Sequence, residues 1–351
     1  MKLRPALLCF ALIGSTASAQ NEDVRIGVLG LFHPSELTVS STPGSAVILR
    51  ADEQSLTLDT SAGLSRASIR AHEAGLVVRC GTQSLNARKV TLASRGGGPV
   101  DFILSVPGKI TRRYRGRLEV SNVSGELIPV VSMDLETAVA SVVAAETIPG
   151  DPSEALKAQA VAARSYFVAG KGRHDNFDFC DTTHCQFLRS PPPSQSAAFK
   201  ATAATRGLVL TFESRAFAAM YTRSCSGRTR TPVEAGLPPG NYSYYSVECH
   251  YCRQHPVRWQ SRISAQDANS LRPSNEPSRL EIDRKLGWNT VPSNDFTIKR
   301  DDGQVVLEGV GQGHGIGLCQ VGAKAMADCG ANFRQILIYY YPNTELTSLP
   351  R

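Results

Sequence analysis

Apolar and polar residues follow a strand-like pattern in the first third of the chain. Residues 24–29, 46–50 and 75–79 are β-branched runs bounded by turn residues, a composition typical of strands. From residue 112 to 122 apolar and polar positions alternate. Because successive side chains of a strand point to opposite faces, this alternation predicts a half-buried antiparallel strand.

The pattern changes to a helical one after residue 131. Residues 134–145 are predicted to form a helix with Asp134 as its N-cap. A second helix is predicted to run to residue 168 and to end at Gly170. Its start has Asp151 at the N-cap, proline at the first position and Glu154 three residues after the cap, a common capping arrangement. Further elements are predicted as helices at 195–205, 320–329 and 333–340 and as strands at 208–212, 216–221 and 305–308. The expected fold class is α+β, with a strand-rich amino-terminal part and a mixed α/β core.

The amino-terminal segment is typical of a signal peptide. Residues 1–4 are basic, residues 6–14 are apolar, and Ala17-Ser18-Ala19 gives the small-x-small pattern of a cleavage site,. The apolar run is too short for a membrane span. We therefore expect residues 1–19 to be removed, and the mature protein to be exported without a transmembrane segment, to the periplasm or to the cell wall outside the cell.

The charge of the chain is mildly basic. The formal charge of +7 falls to +5 when Lys2 and Arg4 leave with the signal peptide. This charge fits a solvated basic surface or attraction to an anionic wall polymer. Nucleic acid is not expected as a partner, because the lysines and arginines are scattered and the protein is exported.

Cysteines form two groups along the mature chain. Residues 174–186 contain two cysteines and two histidines, a donor set that suits tetrahedral zinc, although a Cys180–Cys185 disulfide would suit an oxidising compartment. Cys249 and Cys252, with Cys225 upstream, form a second group. For this group a disulfide is favoured.

Glu146 is the first candidate for catalysis. It ends an apolar run just before Ile148-Pro149-Gly150, which breaks the helix. Burial and the electronegative end of a helix both disfavour a carboxylate, so its pKa should rise. A carboxyl that stays protonated near neutral pH can act as a general acid on a glycosidic bond. The alternative is an ordinary helix-end glutamate paired with a base such as Arg164.

Residues 309–317 have glycine at every second position, with His314 between two of them. In an extended chain one face of this segment would be bare backbone. Such a face permits either close approach of a ligand or tight packing against a neighbouring strand or helix.

These features occur in an order that resembles the SpoIID/LytB family of bacterial cell-wall proteins. The matching motifs are VVAAE at 142–146, EALKAQAVAARSY at 154–166, FDFCDTTHCQ at 177–186, GHGIG at 313–317 and YYYPNT at 339–344. The resemblance covers about residues 110–345 and implies a SpoIID-like domain at 106–351, which follows the strand-rich region that the hydrophobic pattern predicts at 20–105. The chain departs from the family at Thr222, Ser226, Gln312, Cys319 and Val321.

The resemblance implies a peptidoglycan lytic transglycosylase. Such an enzyme cuts the β-1,4 bond between N-acetylmuramic acid (MurNAc) and N-acetylglucosamine (GlcNAc) and leaves a 1,6-anhydro end. Glu146 would be the general acid and base. Arg164, Gln186, His314 and Gln320 would bind substrate, and His174, Cys180 and Cys185 would bind Zn²⁺.

A second reading of the same resemblance is a non-catalytic protein that binds peptidoglycan and enhances a partner amidase, an N-acetylmuramoyl-L-alanine amidase. A zinc hydrolase is disfavoured, because the chain has no HExxH motif,.

Overall fold

A computed structural model describes residues 23–148, 150–301 and 304–350. The predicted signal peptide lies outside the described residues. Every helix in the described part of the chain is too short or too polar to cross a membrane.

The described residues form a mixed α+β structure, which confirms the predicted fold class. The strands are β1 Asp23–Gly27, β2 Glu36–Ser41, β3 Val47–Ala51, β4 Gln54–Leu58, β5 Arg66–His72, β6 Gly75–Cys80, β7 Gln83–Ala87, β8 Lys89–Ala93, β9 Val100–Val106, β10 Ile110–Val123, β11 Glu126–Asp134, β12 Phe179–Cys180, β13 Leu208–Phe212, β14 Arg215–Ala216, β15 Tyr221–Thr222, β16 Arg258–Ser264, β17 Phe296–Asp301, β18 Gln304–Val310, β19 Leu318–Cys319 and β20 Glu345–Ser348. The helices are α1 Leu135–Glu146, α2 Ser153–Ala169, α3 Ala197–Ala204, α4 His250–Gln254, α5 Ala265–Ala268, α6 Glu276–Leu286, α7 Gln320–Asp328 and α8 Phe333–Tyr340.

A large sheet joins the amino-terminal strands to the rest of the chain. Its main order is β12-β1-β11-β10-β9-β2-β5-β6-β7, and β8 links β10 to the β3–β4 hairpin. The long strand β10 alternates as predicted, with Tyr114 and Leu118 buried and Arg115 exposed between them. The boundary expected between residues 105 and 106 falls at the end of β9, which pairs directly with β10. Strands on both sides of that boundary therefore share one sheet and one apolar core.

Helices α1 and α2 follow the sheet and pack on each other. Asp134 caps α1 as predicted, since its side chain accepts the Thr137 N–H at 3.0 Å. The predicted cap of α2 is wrong. This helix begins at Ser153 without a side-chain cap, because the Asp151 carboxylate accepts the Ile148 N–H at 2.7 Å instead. Gly170 ends α2 as predicted.

Among the described residues, the carboxy-terminal half adds three smaller sheets, one of them the parallel pair β15–β19, and two further apolar clusters. Strand β13 pairs with β14 and β20, and β16, β18 and β17 form a separate antiparallel sheet. The strand predicted at 216–221 is mostly irregular, with only the two-residue pieces β14 and β15 near its ends. Helices α7 and α8 occur where they were predicted.

Candidate functional site

A small pocket lies where α1 ends, at the junction of α1, α2 and the first turn of α7. Its volume is about 40 Å³, enough for a water molecule or one sugar substituent. Its lining comprises Glu146, Thr147, Ile148, Asp151, Ala155, Leu156, Gln159, Arg223, Leu318, Gln320, Val321, Ala323 and Lys324.

Glu146 is the last residue of α1 and is half-buried in this pocket. Burial raises the pKa of its carboxyl to about 7, although a hydrogen bond from Gln320 and the positive charge of Arg223 act in the opposite direction. The carboxyl is therefore half protonated near neutral pH, which is the condition predicted from the sequence for a general acid.

Two glutamine side chains line the pocket together with Glu146, and each has an amide atom without a hydrogen-bond partner. Gln159 comes from α2 and Gln320 is the first residue of α7. Among the described residues, Gln159 Oε1, Gln159 Nε2 and Gln320 Oε1 are buried without a hydrogen-bond partner. Buried polar atoms are rarely left unpaired, so these amides indicate a place for the hydroxyl or amide groups of a ligand. Gln159 was not predicted, because inside an apolar helix it reads as an ordinary core position.

Arg223 places a positive charge next to the Glu146 carboxyl. Its Nη1 donates to the backbone carbonyl of Glu146 at 3.2 Å, one of the carbonyls that a helix leaves unpaired at its end. This contact holds a guanidinium next to the Glu146 side chain. Arg223 was not predicted as a site residue; it lies in the 221–227 segment, where the chain departs from the family motif at Thr222 and Ser226.

Arg164 does not reach the pocket. It is fully buried, and its Nε and Nη2 donate to the two carboxylate oxygens of Glu136 at 2.9 and 2.7 Å. It also donates to the backbone carbonyls of Ala160, Thr202 and Leu208. The prediction that Arg164 binds substrate is corrected, because its guanidinium is enclosed and fully engaged. The same contacts rule it out as the partner of Glu146.

Gln186 and His314 lie behind the pocket rather than in its lining. Gln186 is buried and accepts a hydrogen bond from the Tyr221 hydroxyl at 2.9 Å. His314 Nδ1 accepts the Ile316 N–H at 3.0 Å, and burial lowers the pKa of its imidazole. Burial, and next the nearby Glu146 carboxylate, raise the pKa of Tyr221. Gln186 and His314 therefore support β15, the strand next to Glu146. Of the four residues predicted to bind substrate, Gln320 alone borders the pocket.

The glycine-rich segment is not the extended chain expected from its alternation. Gly311, Gly313, Gly315 and Gly317 all have positive φ, a conformation that strongly favours glycine. At Gly317 an added Cβ would lie 2.0 Å from the Met220 carbonyl oxygen. The glycines thus allow tight packing against the 220–226 backbone, which was one of the two alternatives open from the sequence.

The first Cys/His group is compact. One donor atom each from His174, Cys180, His184 and Cys185 lies within 4.8 Å of the others. His174 Nε2 lies 3.3 Å from Cys185 Sγ, and Cys180 Sγ lies 3.8 Å from His184 Nδ1. These spacings fit a tetrahedral ion with Zn–S bonds of about 2.3 Å and Zn–N bonds of about 2.0 Å. The structure adds His184 to the three candidate zinc ligands that the resemblance implied, His174, Cys180 and Cys185.

Comparison with known proteins finds a matching family and several similar sequences. A family described as "Stage II sporulation protein" matches residues 123–212, a segment that includes α1, α2 and the Cys/His group. The chain is 28% identical over 270 residues to an uncharacterized protein of Brachyspira hyodysenteriae, covering 68% of this chain and 73% of that protein. It is 27% identical over 273 residues to stage II sporulation protein D of Bacillus amyloliquefaciens, covering 65% of this chain and 76% of that protein.

A shorter match has a higher identity. Over 68 residues the chain is 43% identical to the protein named amidase enhancer of Bacillus subtilis, which is 19% of this chain and 10% of that protein. The motif order, the family match over residues 123–212 and these relatives agree with one another, and together they support the resemblance of this chain to the SpoIID/LytB family.

Proposed function

We propose that this protein is an exported peptidoglycan lytic transglycosylase that cleaves the MurNAc–GlcNAc β-1,4 bond, with Glu146 as general acid and base. The observation that carries the proposal is the Glu146 carboxyl, whose pKa of about 7 occurs in a pocket bordered by unpaired amides and a guanidinium. Shifted pKa values in a cleft are typical of catalytic groups.

The reaction requires only one carboxyl. Protonated Glu146 gives its proton to the bridging oxygen, the bond from that oxygen to the MurNAc anomeric carbon breaks, and GlcNAc leaves with a free hydroxyl. The Glu146 carboxylate then takes the proton of the MurNAc 6-hydroxyl as that oxygen closes on the anomeric carbon. The proton returns to Glu146, no water is consumed, and the product is a 1,6-anhydro end.

Three neighbouring side chains, Arg223, Gln159 and Gln320, would stabilise the charged state of Glu146 and bind the polar groups of the sugar. Arg223 stabilises the carboxylate that exists between the two proton transfers, since its charge lowers the cost of ionising Glu146,. The free amide atoms of Gln159 and Gln320 can bind sugar hydroxyl or acetamido groups. Their contacts would fix the glycosidic oxygen above the carboxyl.

Glycan strands stripped of their peptides provide the direct test. We expect the purified mature protein to release fragments with 1,6-anhydro-MurNAc ends, each one water lighter than the hydrolysis product, when the products are analysed by mass spectrometry. Reducing MurNAc ends would show hydrolysis and contradict the proposal.

Asp151 provides a matched control inside the pocket, because it is the other carboxylate of the lining. A hydrolase that uses two carboxylates would need it. In our proposal it only accepts the Ile148 N–H, so Asp151→Asn should retain anhydro-product formation within about tenfold, whereas a two-carboxylate enzyme typically loses about 10²–10⁴ of its rate.

The amidase-enhancer likeness supports a second candidate function, a peptidoglycan-binding protein that stimulates a partner amidase. In that case the protein would sediment with peptidoglycan and release no fragments. Glu146→Gln would then leave sedimentation unchanged.

We further propose that His174, Cys180, His184 and Cys185 hold a structural zinc ion. Four protein ligands fill the coordination sphere and leave no position for a substrate or water molecule. The ion would therefore have a structural role and would take no part in catalysis. All four ligands come from the 174–185 segment, which carries β12, so the ion would fix the fold of that segment.

A further inference from the structure

We propose that the protein has a second zinc site, formed by Cys225, Cys249, Cys252 and Cys319. The four Sγ atoms all lie within 4.8 Å of one another, and each of the four side chains is buried. They come from three separate segments: the chain after β15, the start of α4 and the end of β19. The sequence had grouped three of these cysteines and favoured a disulfide, but it gave no reason to include Cys319.

The spacing of the sulfurs fits a single tetrahedral ion. Zn–S bonds of about 2.3 Å place the sulfurs of such a site about 3.8 Å apart, and the Cys252 and Cys319 sulfurs are 3.5 Å apart. A disulfide requires about 2.05 Å and would pair two sulfurs away from the others. An iron–sulfur cluster would spread the thiolates more widely, because iron and sulfide atoms would lie between them.

Hydrogen-bond donors surround the sulfurs. The backbone N–H groups of Cys225 and Gly322 both donate to Cys319 Sγ at 3.4 Å. The Ser224 hydroxyl lies 3.6 Å from Cys252 Sγ, and the Tyr340 hydroxyl lies 3.6 Å from Cys249 Sγ. Donors of this kind stabilise the negative charge that four thiolates carry around one Zn²⁺.

The short helix α4 supplies two of the ligands. Cys249 and Cys252 have the C-x₂-C spacing that is common in structural zinc sites, and α4 has only five residues. Gly322 lets α7 approach them, because a Cβ there would lie 2.6 Å from Cys249 Sγ and 2.0 Å from the Tyr340 hydroxyl. The metal would therefore tie α4 to α7 and to the chain after β15.

This site lies directly behind the pocket. Cys319 precedes Gln320, and Cys225 follows Arg223 by two residues. An ion held by both cysteines would fix the two segments that present the Gln320 amide and the Arg223 guanidinium to Glu146. Cys319 is also a position at which the chain departs from the family motif, so the ion would be a feature of this chain's own sequence.

Metal analysis of the whole protein tests the inference without reference to activity. Protein purified without added chelator should contain about two zinc ions per chain, one for each four-ligand cluster. Cys252→Ser and Cys180→Ser should each lower the content by about one ion, from different clusters. Cys329→Ser changes an exposed cysteine outside both clusters and should leave the content unchanged.

A spectroscopic measurement covers the case in which Cys252→Ser does not fold. Cobalt-substituted wild-type protein should show the thiolate-to-cobalt absorption of a four-sulfur site, and this band should persist in Cys180→Ser. The inference is overturned if denatured, non-reduced protein has lost two hydrogens for each pair among these four cysteines. It is equally overturned if zinc content depends only on the first cluster.

Discussion

Replacing Glu146 with glutamine is expected to abolish release of anhydro-ended fragments, with a loss of at least about 10²–10⁴ in rate. Glutamine keeps the size and polarity of the side chain but cannot give up and recover a proton. In wild-type protein the pKa of about 7 predicts that kcat/KM falls as the pH rises above 7, because the first step requires the protonated acid. The measurement is the rate of fragment release from peptide-free glycan as a function of pH.

The same substitution should change stability in a defined direction. The carboxyl has a pKa of about 7 in the folded protein against an ordinary value of 4.5, so the folded state binds the proton more tightly than the unfolded state. Its contribution to stability is therefore complete below pH 4.5 and is lost as the pH rises through 7,. Glu146→Gln does not ionise and should be more stable than wild type above pH 7 by about 2 kcal/mol, a figure reduced for partial exposure,.

These two results together separate a catalytic acid from an inert buried one. A Gln variant that is more stable but inactive would support the proposal. Full activity in the Gln variant would remove the enzymatic role of Glu146. A stability difference that did not depend on pH would contradict the raised pKa itself.

Replacing Arg164 with methionine is expected to cost about 3–5 kcal/mol in free energy of unfolding. The change removes the guanidinium from a fully buried position and leaves the Glu136 carboxylate with the Gly207 N–H but without the two hydrogen bonds that Arg164 donates. It also leaves the Leu208 carbonyl without a donor that lies 3.0 Å away. Urea denaturation followed by fluorescence measures the loss directly.

A double variant identifies the cause of that loss. Adding Glu136→Gln to Arg164→Met removes the unpaired charge and should restore part of the stability. Lys324→Met breaks an ion pair whose lysine side chain is 41% exposed and should cost under about 1 kcal/mol. If Arg164→Met kept full stability and raised only KM for glycan, the original assignment of Arg164 to substrate binding would be correct after all.

Most of the regular elements could be predicted, because they depend on local periodicity. The alternation in β10 and the apolar periods of α1 and α2 decide their structure without distant contacts. The segment from 237 to 300 could not be predicted in this way. Its helices α5 and α6 are short or strongly charged, so their formation depends on packing against the β16–β18 sheet.

The candidate site was predictable only in part, for a related reason. Glu146 could be identified because an acidic residue at the end of an apolar helix is unusual in itself. Gln159 and Arg223 reach the pocket through tertiary contacts, and Cys319 joins the second cysteine cluster in the same way. Arg164 was misassigned because a motif match records which residue type occurs but not which way its side chain points.

The sheet that crosses the expected boundary has a consequence for how the protein can be divided. Strand β1 pairs with β11, and β11 runs straight into α1, which ends at Glu146. A fragment that starts at residue 106 would keep the β10–β11 pair but would lack β8 and β9, which pair with β10, and β1, which pairs with β11. It would leave strand edges without hydrogen-bond partners. It would also remove the strands that support β11 and α1, and with them the position of the Glu146 carboxyl. We therefore expect the amino-terminal third to be needed for the strands that carry α1 and Glu146 to fold.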